Sequence, residues 1–161
     1  MKNKCIFAVL LLACLLLTAC SGTVRAEHCE LGIKLPNGYK KHDTGGAFDL
    51  SYASDSIVVG ITRLSHSAAI NDNIPPTLEP RGFAEVYMLR AGHTGDVFLY
   101  GDVPYYTYTN TGEGGKSYTC AATFYRSPYA YFVITFITDS IFGASLEDML
   151  SLTSGVYLIL D

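Results

Sequence analysis

Hydrophobic and polar residues alternate with a period of two over much of this chain, which is typical of half-buried β-strands. One predicted strand departs from this alternation because it is apolar on both faces. Phe132, Ile134 and Phe136 share one face, and Tyr131 and Val133 share the other. Apolar residues on both faces predict a strand at the centre of a sheet that is covered on both sides.

Turn-forming residues divide the rest of the pattern into short strands. We predict strands over residues 31–35, 47–52, 57–64, 96–100, 104–110, 116–126, 129–138 and 156–160. Most of the connections are short enough for hairpins, so the pairing is expected to be mainly antiparallel. Residues 65–76 are predicted to form a loop, because they end in Pro75-Pro76.

Two segments change to helical spacing. Residues 78–91 place Phe83 and Tyr87 on one face, with Pro80 in the first turn, and predict a helix. Further along, Ser145 and Asp148 resemble a capping box and predict a short second helix. Strands followed by helices that cover a sheet indicate an α+β fold, an antiparallel β-sheet with helices packed on it.

The N-terminus has the three parts of a secretory signal peptide: basic residues, a short apolar run and small residues. The apolar run over residues 6–19 is too short for a confident membrane-spanning helix. Leu17-Thr18-Ala19-Cys20 resembles the lipobox of bacterial lipoproteins. In that family the cysteine thiol carries diacylglycerol and the chain is cut just before it. The alternative is an ordinary signal peptide with a chance cysteine.

The lipobox interpretation divides the chain into three parts. Residues 1–19 form the signal peptide, residues 20–30 the lipidated cysteine and a polar tether, and residues 31–161 a single α+β domain. Attachment to the membrane would rest on the acyl chains at Cys20. The domain is then expected on the cell membrane or outer membrane, facing the periplasm or the cell exterior.

Charge narrows the choice of partners. Removal of Lys2 and Lys4 with the signal peptide takes the formal net charge from −4 to −6. An acidic chain without a basic run is a poor binder of nucleic acid. The twelve tyrosines and eight phenylalanines suit strand surfaces more than helices.

Two cysteines besides Cys20 remain after cleavage, Cys29 and Cys120. In an export compartment this even pair predicts a disulfide that ties the N-terminal segment to the sheet. An equally open alternative is one free thiol near the tether and one buried thiol. The chain has no Cys-x-x-Cys motif, so we predict neither a metal site nor a redox site.

Several segments together resemble the PsbP-like and Mog-like domains. Ile33-Lys34-Leu35-Pro36-Asn37-Gly38-Tyr39 looks like their "hydrophobic-x-Leu-Pro-x-Gly-Tyr" opening, and residues 82–87 are similar to their first helix. The strands at residues 105–108 and 131–136 resemble the later part of the pattern. The resemblance covers about residues 31–160. It implies an α/β/α sandwich and mostly non-enzymatic binding or assembly work.

The sequence offers no convincing catalytic residues, and we predict no cofactor. The histidines after the signal peptide are expected to be solvated: His28, His42, His66 and His93. Glu147 and Asp148 are explained by helix capping. The glycine-rich segment 112–117 leads into a predicted strand, so it indicates a hairpin turn and not a phosphate-binding loop.

The tyrosines indicate a candidate binding surface more clearly than the polar residues indicate a catalytic site. Tyr106 and Tyr108 share a face of one predicted strand, and Tyr118 or Tyr125 would lie beside them on the next strand. An exposed row of tyrosines would suit a protein or glycan partner. The alternative is cross-strand packing beneath a helix.

These observations predict a membrane-anchored, non-enzymatic lipoprotein that binds another envelope protein, as an assembly factor or accessory subunit. The alternative function is a lipoprotein that binds a small ligand or glycan with its tyrosine-rich sheet. A third is a hydrolase whose site is assembled from distant loops.

Overall fold

The structure is a computed structural model that describes residues 22–141 and 143–159. The predicted signal peptide and the lipidation of Cys20 lie outside the described residues.

In chain order the elements are β1 (Thr23–His28), β2 (Leu31–Pro36), β3 (Lys40–Lys41), β4 (Leu50–Ala53), β5 (Val58–Ser65), α1 (His66–Asn71), α2 (Pro80–Arg90), β6 (Phe98–Tyr100), β7 (Val103–Thr111), β8 (Ser117–Arg126), β9 (Ala130–Asp139), α3 (Leu146–Ser151) and β10 (Val156–Leu158). Short 3-10 turns cover Glu113–Gly115 and Leu152–Gly155.

The strands form two antiparallel sheets. The large sheet has seven strands in the order β3-β4-β5-β9-β8-β7-β6, and the small sheet has the order β1-β2-β10. All the strand pairs are antiparallel. The predicted fold class, α+β with an antiparallel sheet and helices packed on it, is confirmed.

The central strand β9 has two buried faces, as its sequence predicts. Phe132, Ile134 and Phe136 pack into the core that the large sheet shares with the small sheet and α3. Tyr131 and Val133 pack into a second core beneath α1 and α2. Helices therefore lie on both faces of the large sheet, with the small sheet beside α3.

The helix boundaries follow from their caps. Pro80 lies in the first turn of α2, where its missing N–H costs no hydrogen bond. The capping box of α3 is confirmed: the hydroxyl of Ser145 accepts from the backbone N–H of Asp148 at 3.1 Å, and the carboxylate of Asp148 accepts from the N–H of Ser145 at 3.0 Å. Helix α1 replaces part of the predicted loop, because Ser65 caps it by accepting from the N–H of Ala68 at 3.2 Å.

The predicted tether over residues 20–30 is corrected for most of its length. Thr23–His28 form β1 and pair in register with the whole of β2. Ala26 is fully buried and Val24 packs against the same core. The segment looks polar because only two small side chains point inward, so its strand depends on the partner that β2 provides.

Candidate functional site

The tyrosines predicted as a binding surface do not form an exposed row. The register of β7 and β8 places Tyr106, Tyr108 and Tyr118 on the face that α2 covers, whereas Tyr125 lies on the opposite face. Tyr106 is only 2% exposed. Of the two alternatives, the structure agrees with cross-strand packing and not with an exposed row: the rings of Tyr106 and Tyr108 pack beneath a helix, because α2 lies over β7 and β8.

His93, in the loop after α2, completes this packing. Its Nδ1 lies 3.1 Å from the hydroxyl oxygen of Tyr106, and its ring stacks on Tyr108 with 4.0 Å between centroids. Burial raises the pKa of both tyrosines well above their ordinary value. These rings are therefore neutral and packed at physiological pH, which suits a structural role.

Of the two alternatives for Cys29 and Cys120, the structure agrees with two separate thiols and not with a disulfide, because both cysteines are free. Cys29 is exposed in the turn between β1 and β2 of the small sheet. Cys120 is buried on β8, where it pairs with Tyr108 on the face covered by α2. The large sheet thus lies between the two thiols.

One edge of the large sheet presents a continuous apolar strand. β6 is the outermost strand on its side, and all three of its residues are exposed. Phe98 is 52% exposed, Leu99 54% and Tyr100 37%. Consecutive large apolar side chains at an open sheet edge are a recurrent site of strand pairing with another chain.

The pairing of β6 with β7 determines which backbone groups point outward. Leu99 lies opposite Pro104, and Phe98 lies opposite Tyr105 with 5.9 Å between ring centroids. Only Gly101 and Asp102 separate Tyr100 from Val103, and the pair that closes a two-residue hairpin is hydrogen-bonded, so the next pair, Leu99 and Pro104, is non-hydrogen-bonded. The backbone N–H and C=O of Leu99 consequently point away from β7, toward the open edge.

The other edge of the same sheet differs in chemistry. It ends in β3, whose two residues, Lys40 and Lys41, are both exposed. Lysine side chains at an edge strand discourage pairing with a further strand, because the ammonium groups resist desolvation. The contrast singles out β6 as the edge that lacks this protection.

An open groove of about 430 Å³ lies at the end of the large sheet where β8 begins and β9 ends. Its lining includes Tyr118 and the hydroxyl groups of Ser54 and Thr138. Lys116 also lines it: its Nζ lies 3.0 Å from Oδ2 of Asp139 and 5.4 Å from the centroid of the Tyr118 ring. An aromatic ring beside hydroxyl and charged groups can bind a polar small molecule.

His66 differs from the solvated loop residue that the sequence predicts, because it begins α1 and its ring contacts that of Tyr131 with 5.1 Å between centroids. The hydroxyl of Ser67 lies 3.0 Å from that of Ser65, whereas Nε2 of His66 is buried and has no hydrogen-bond partner among the described residues. Burial, with the nearby charge of Arg126, lowers the pKa of His66. His66 and Ser67 therefore do not form a base–nucleophile pair here.

Within residues 22–141 and 143–159, no group of three or more His, Cys, Asp or Glu side chains is arranged to hold a metal ion. No helix in this part of the chain is long and apolar enough to span a membrane.

Comparison with known proteins gives a fold but no family. No protein-family model and no curated protein matches the chain. A crystal structure from Bacteroides thetaiotaomicron VPI-5482 is similar, with a TM-score of 0.60 and 11% identity over 88% of this chain. The match spans 50% of that protein, so this chain covers half its length.

A second similar structure is the solution structure of the cyanobacterial PsbP protein, CyanoP, from Synechocystis sp. PCC 6803. Its TM-score is 0.42, with 12% identity over 86% of this chain and 93% of that one. At these identities, the likeness to the Bacteroides protein shows a shared fold and nothing about activity.

Proposed function

We propose that this protein is a lipid-anchored, non-enzymatic lipoprotein that binds another envelope protein, as an assembly or accessory subunit. The observation that carries the proposal is the apolar edge strand β6, whose three residues are all exposed. Exposed apolar surface of this kind marks an interaction site more often than a catalytic one.

The lipid anchor rests on the Leu17-Thr18-Ala19-Cys20 segment. Strand β1 begins at Thr23, only three residues after Cys20. Three residues reach at most about 10 Å when fully extended. A domain anchored at Cys20 would therefore lie against the membrane surface, where its partners are other proteins of the envelope.

A second candidate function is the binding of a small polar molecule or a glycan. The groove beside Tyr118 supports it, because an aromatic ring, a Lys116–Asp139 ion pair and hydroxyl groups converge there. Its volume falls within the usual range of ligand sites. The groove is at the far end of the sheet strands from the turn that joins β6 to β7.

Crosslinking of the full-length protein in intact cells distinguishes the two functions. Purification and mass spectrometry then identify any crosslinked partner protein. The Leu99→Lys variant gives β6 the same kind of charge that β3 carries, so we expect it to lose the crosslinked partner. Ile70→Lys is the matched control: Ile70 is 56% exposed, close to the 54% of Leu99. It lies on α1, which packs on β5, four positions from β6 in the sheet.

Retention of the same partner by the Leu99→Lys variant would contradict docking at β6. Absence of any protein partner, under conditions that capture another lipoprotein, would favour the ligand-binding function. Glycans and small molecules would then be screened against the Tyr118→Ala variant, which removes the ring from the groove.

A further inference from the structure

We propose that the partner docks by adding an extended segment to β6 as an eighth strand of the large sheet, and that this segment carries apolar residues flanked by Lys or Arg. The inference rests on the proposed protein-binding function and names the chemistry of its partner. Three features of the β6 edge carry it: outward backbone groups, apolar side chains on both faces, and acidic ends.

The backbone of β6 is ready for strand addition. Because Leu99 lies in a non-hydrogen-bonded pair with β7, its N–H and C=O point outward and offer one donor and one acceptor to an incoming strand. Binding by strand addition takes its affinity from such main-chain hydrogen bonds and its selectivity from alternate side chains.

The side chains of β6 divide between the two faces of the sheet. Phe98 lies opposite Tyr105 on the face of the small sheet, and Tyr100 shares that side. Leu99 lies on the face that α2 covers. An added strand with consecutive apolar residues would therefore find apolar neighbours on both faces, because its successive side chains also point to opposite faces.

Acidic residues mark both ends of this apolar strand. Asp96 and Asp102 are each three positions from Leu99, and both are exposed. They are the only Asp, Glu, Lys or Arg residues between Arg90 and Glu113. A segment with basic residues on each side of its apolar centre would pair with them, which sets the choice of partner and the encounter rate.

The same charges disfavour a second copy of this chain as the occupant. A symmetric antiparallel pairing centred on Leu99 would place Asp96 of each copy opposite Asp102 of the other. Like charges directly opposite each other across two strands are destabilising. Charge complementarity therefore favours a different protein with a basic-flanked segment.

The test is site-specific photocrosslinking of the full-length protein in intact cells, with p-benzoylphenylalanine in place of Tyr100. Mass spectrometry then identifies the crosslinked peptide. We expect a segment of another protein with consecutive apolar residues at its centre and Lys or Arg on both sides. A captured segment with acidic or uncharged flanks, or one from this same chain, would overturn the inference while leaving protein binding at β6 intact. No crosslinked protein at all would overturn both the strand-addition inference and the proposed protein binding at β6.

The contribution of charge is measured separately. Exposed ion pairs are weak, so the Asp96→Asn and Asp102→Asn double variant should lower the crosslinking yield about three- to tenfold, and added salt should do the same to the wild type. The matched control removes two exposed charges elsewhere, with Asp55→Asn and Glu147→Gln. Equal yields from the two double variants would overturn the role of the acidic ends.

Discussion

The guanidinium group of Arg63 binds the carboxylate of Glu30 through two hydrogen bonds, 3.0 Å from Nε and 2.9 Å from Nη2. Glu30 lies in the turn between β1 and β2 of the small sheet, and Arg63 lies on β5 of the large sheet. Asp49 adds a second link, because its Oδ2 accepts from the backbone N–H of Arg63 at 2.7 Å and lies 3.7 Å from Nε2 of His28. This cluster joins the two sheets at the surface.

The first prediction concerns the stability that this pair provides. Arg63→Met should lower the free energy of unfolding by about 1–2 kcal/mol, because it leaves a partly buried carboxylate without its bidentate partner. Urea unfolding measures the change. Arg81→Met is the control: Arg81 and Glu85 are 3.4 Å apart and mostly exposed, so the loss should be close to zero. Equal losses in the two variants would contradict the role assigned to Arg63.

The second prediction is a pH dependence. The hydrogen bonds from Arg63 hold the carboxyl pKa of Glu30 below its ordinary value of 4.5. A carboxyl group with a lowered pKa in the folded state contributes stability above its unfolded pKa and loses it as the pH falls through the folded pKa. The wild type should therefore be more stable than Glu30→Gln at pH 7, and the difference should shrink below pH 4.5.

Urea unfolding of both proteins over a range of pH values checks this dependence. A difference that stays constant down to about pH 3 would mean that Glu30 does not titrate with a lowered pKa.

The third prediction concerns the core. Phe136 is fully buried between the large sheet and the small sheet. Phe136→Ala should reduce the free energy of unfolding by about 3–5 kcal/mol, because it removes apolar contacts and leaves a cavity. Tyr129→Ala is the control, since Tyr129 is 67% exposed at the turn before β9 and should change stability by less than about 0.5 kcal/mol.

The fourth prediction concerns the thiols. In the folded protein Cys29 should react readily with a maleimide, because it is exposed. Cys120 should react only after unfolding, because it is buried and burial raises the pKa of its thiol. Mass analysis of the labelled, non-reduced protein measures both. Failure to label either cysteine after unfolding would indicate a disulfide and contradict the structure.

The fifth prediction concerns the anchor. Cys20→Ala removes the thiol that a lipobox would present for acylation, so the variant protein should leave the membrane fraction of cells. Fractionation and immunoblotting measure the distribution. Ser21→Ala serves as the control, because it alters a neighbouring residue and leaves the thiol in place. Unchanged fractionation of the Cys20→Ala variant would contradict the lipoprotein interpretation.

Some elements could be predicted because their signals are local. The capping box of α3 needs only Ser145 and Asp148, and the double-sided pattern of β9 needs only its own residues. Others depend on partners distant in the chain. β1 is a strand because β2 lies beside it, and the alternation in residues 23–28 rests on only two small apolar side chains, Val24 and Ala26, which is too weak a pattern to predict that pairing.

The candidate site likewise depends on contacts that local sequence patterns do not predict. Phe98, Leu99 and Tyr100 could be predicted as a short strand from sequence, but their exposure depends on β6 ending the sheet. Conversely, the tyrosines that looked like a surface include Tyr106, which is buried because α2 folds back over β7 and β8.

By itself the sequence determined the α+β class, the main strands and two of the helices, because periodicity and caps act over a few residues. It also predicts the anchor at Cys20, since a signal peptide is a local pattern. Only the tertiary structure decided which edge of the large sheet is open, which tyrosines are covered and on which side of that sheet each cysteine lies. Those properties depend on strand order and on which elements cover each face, and both arise from contacts between residues far apart in the chain.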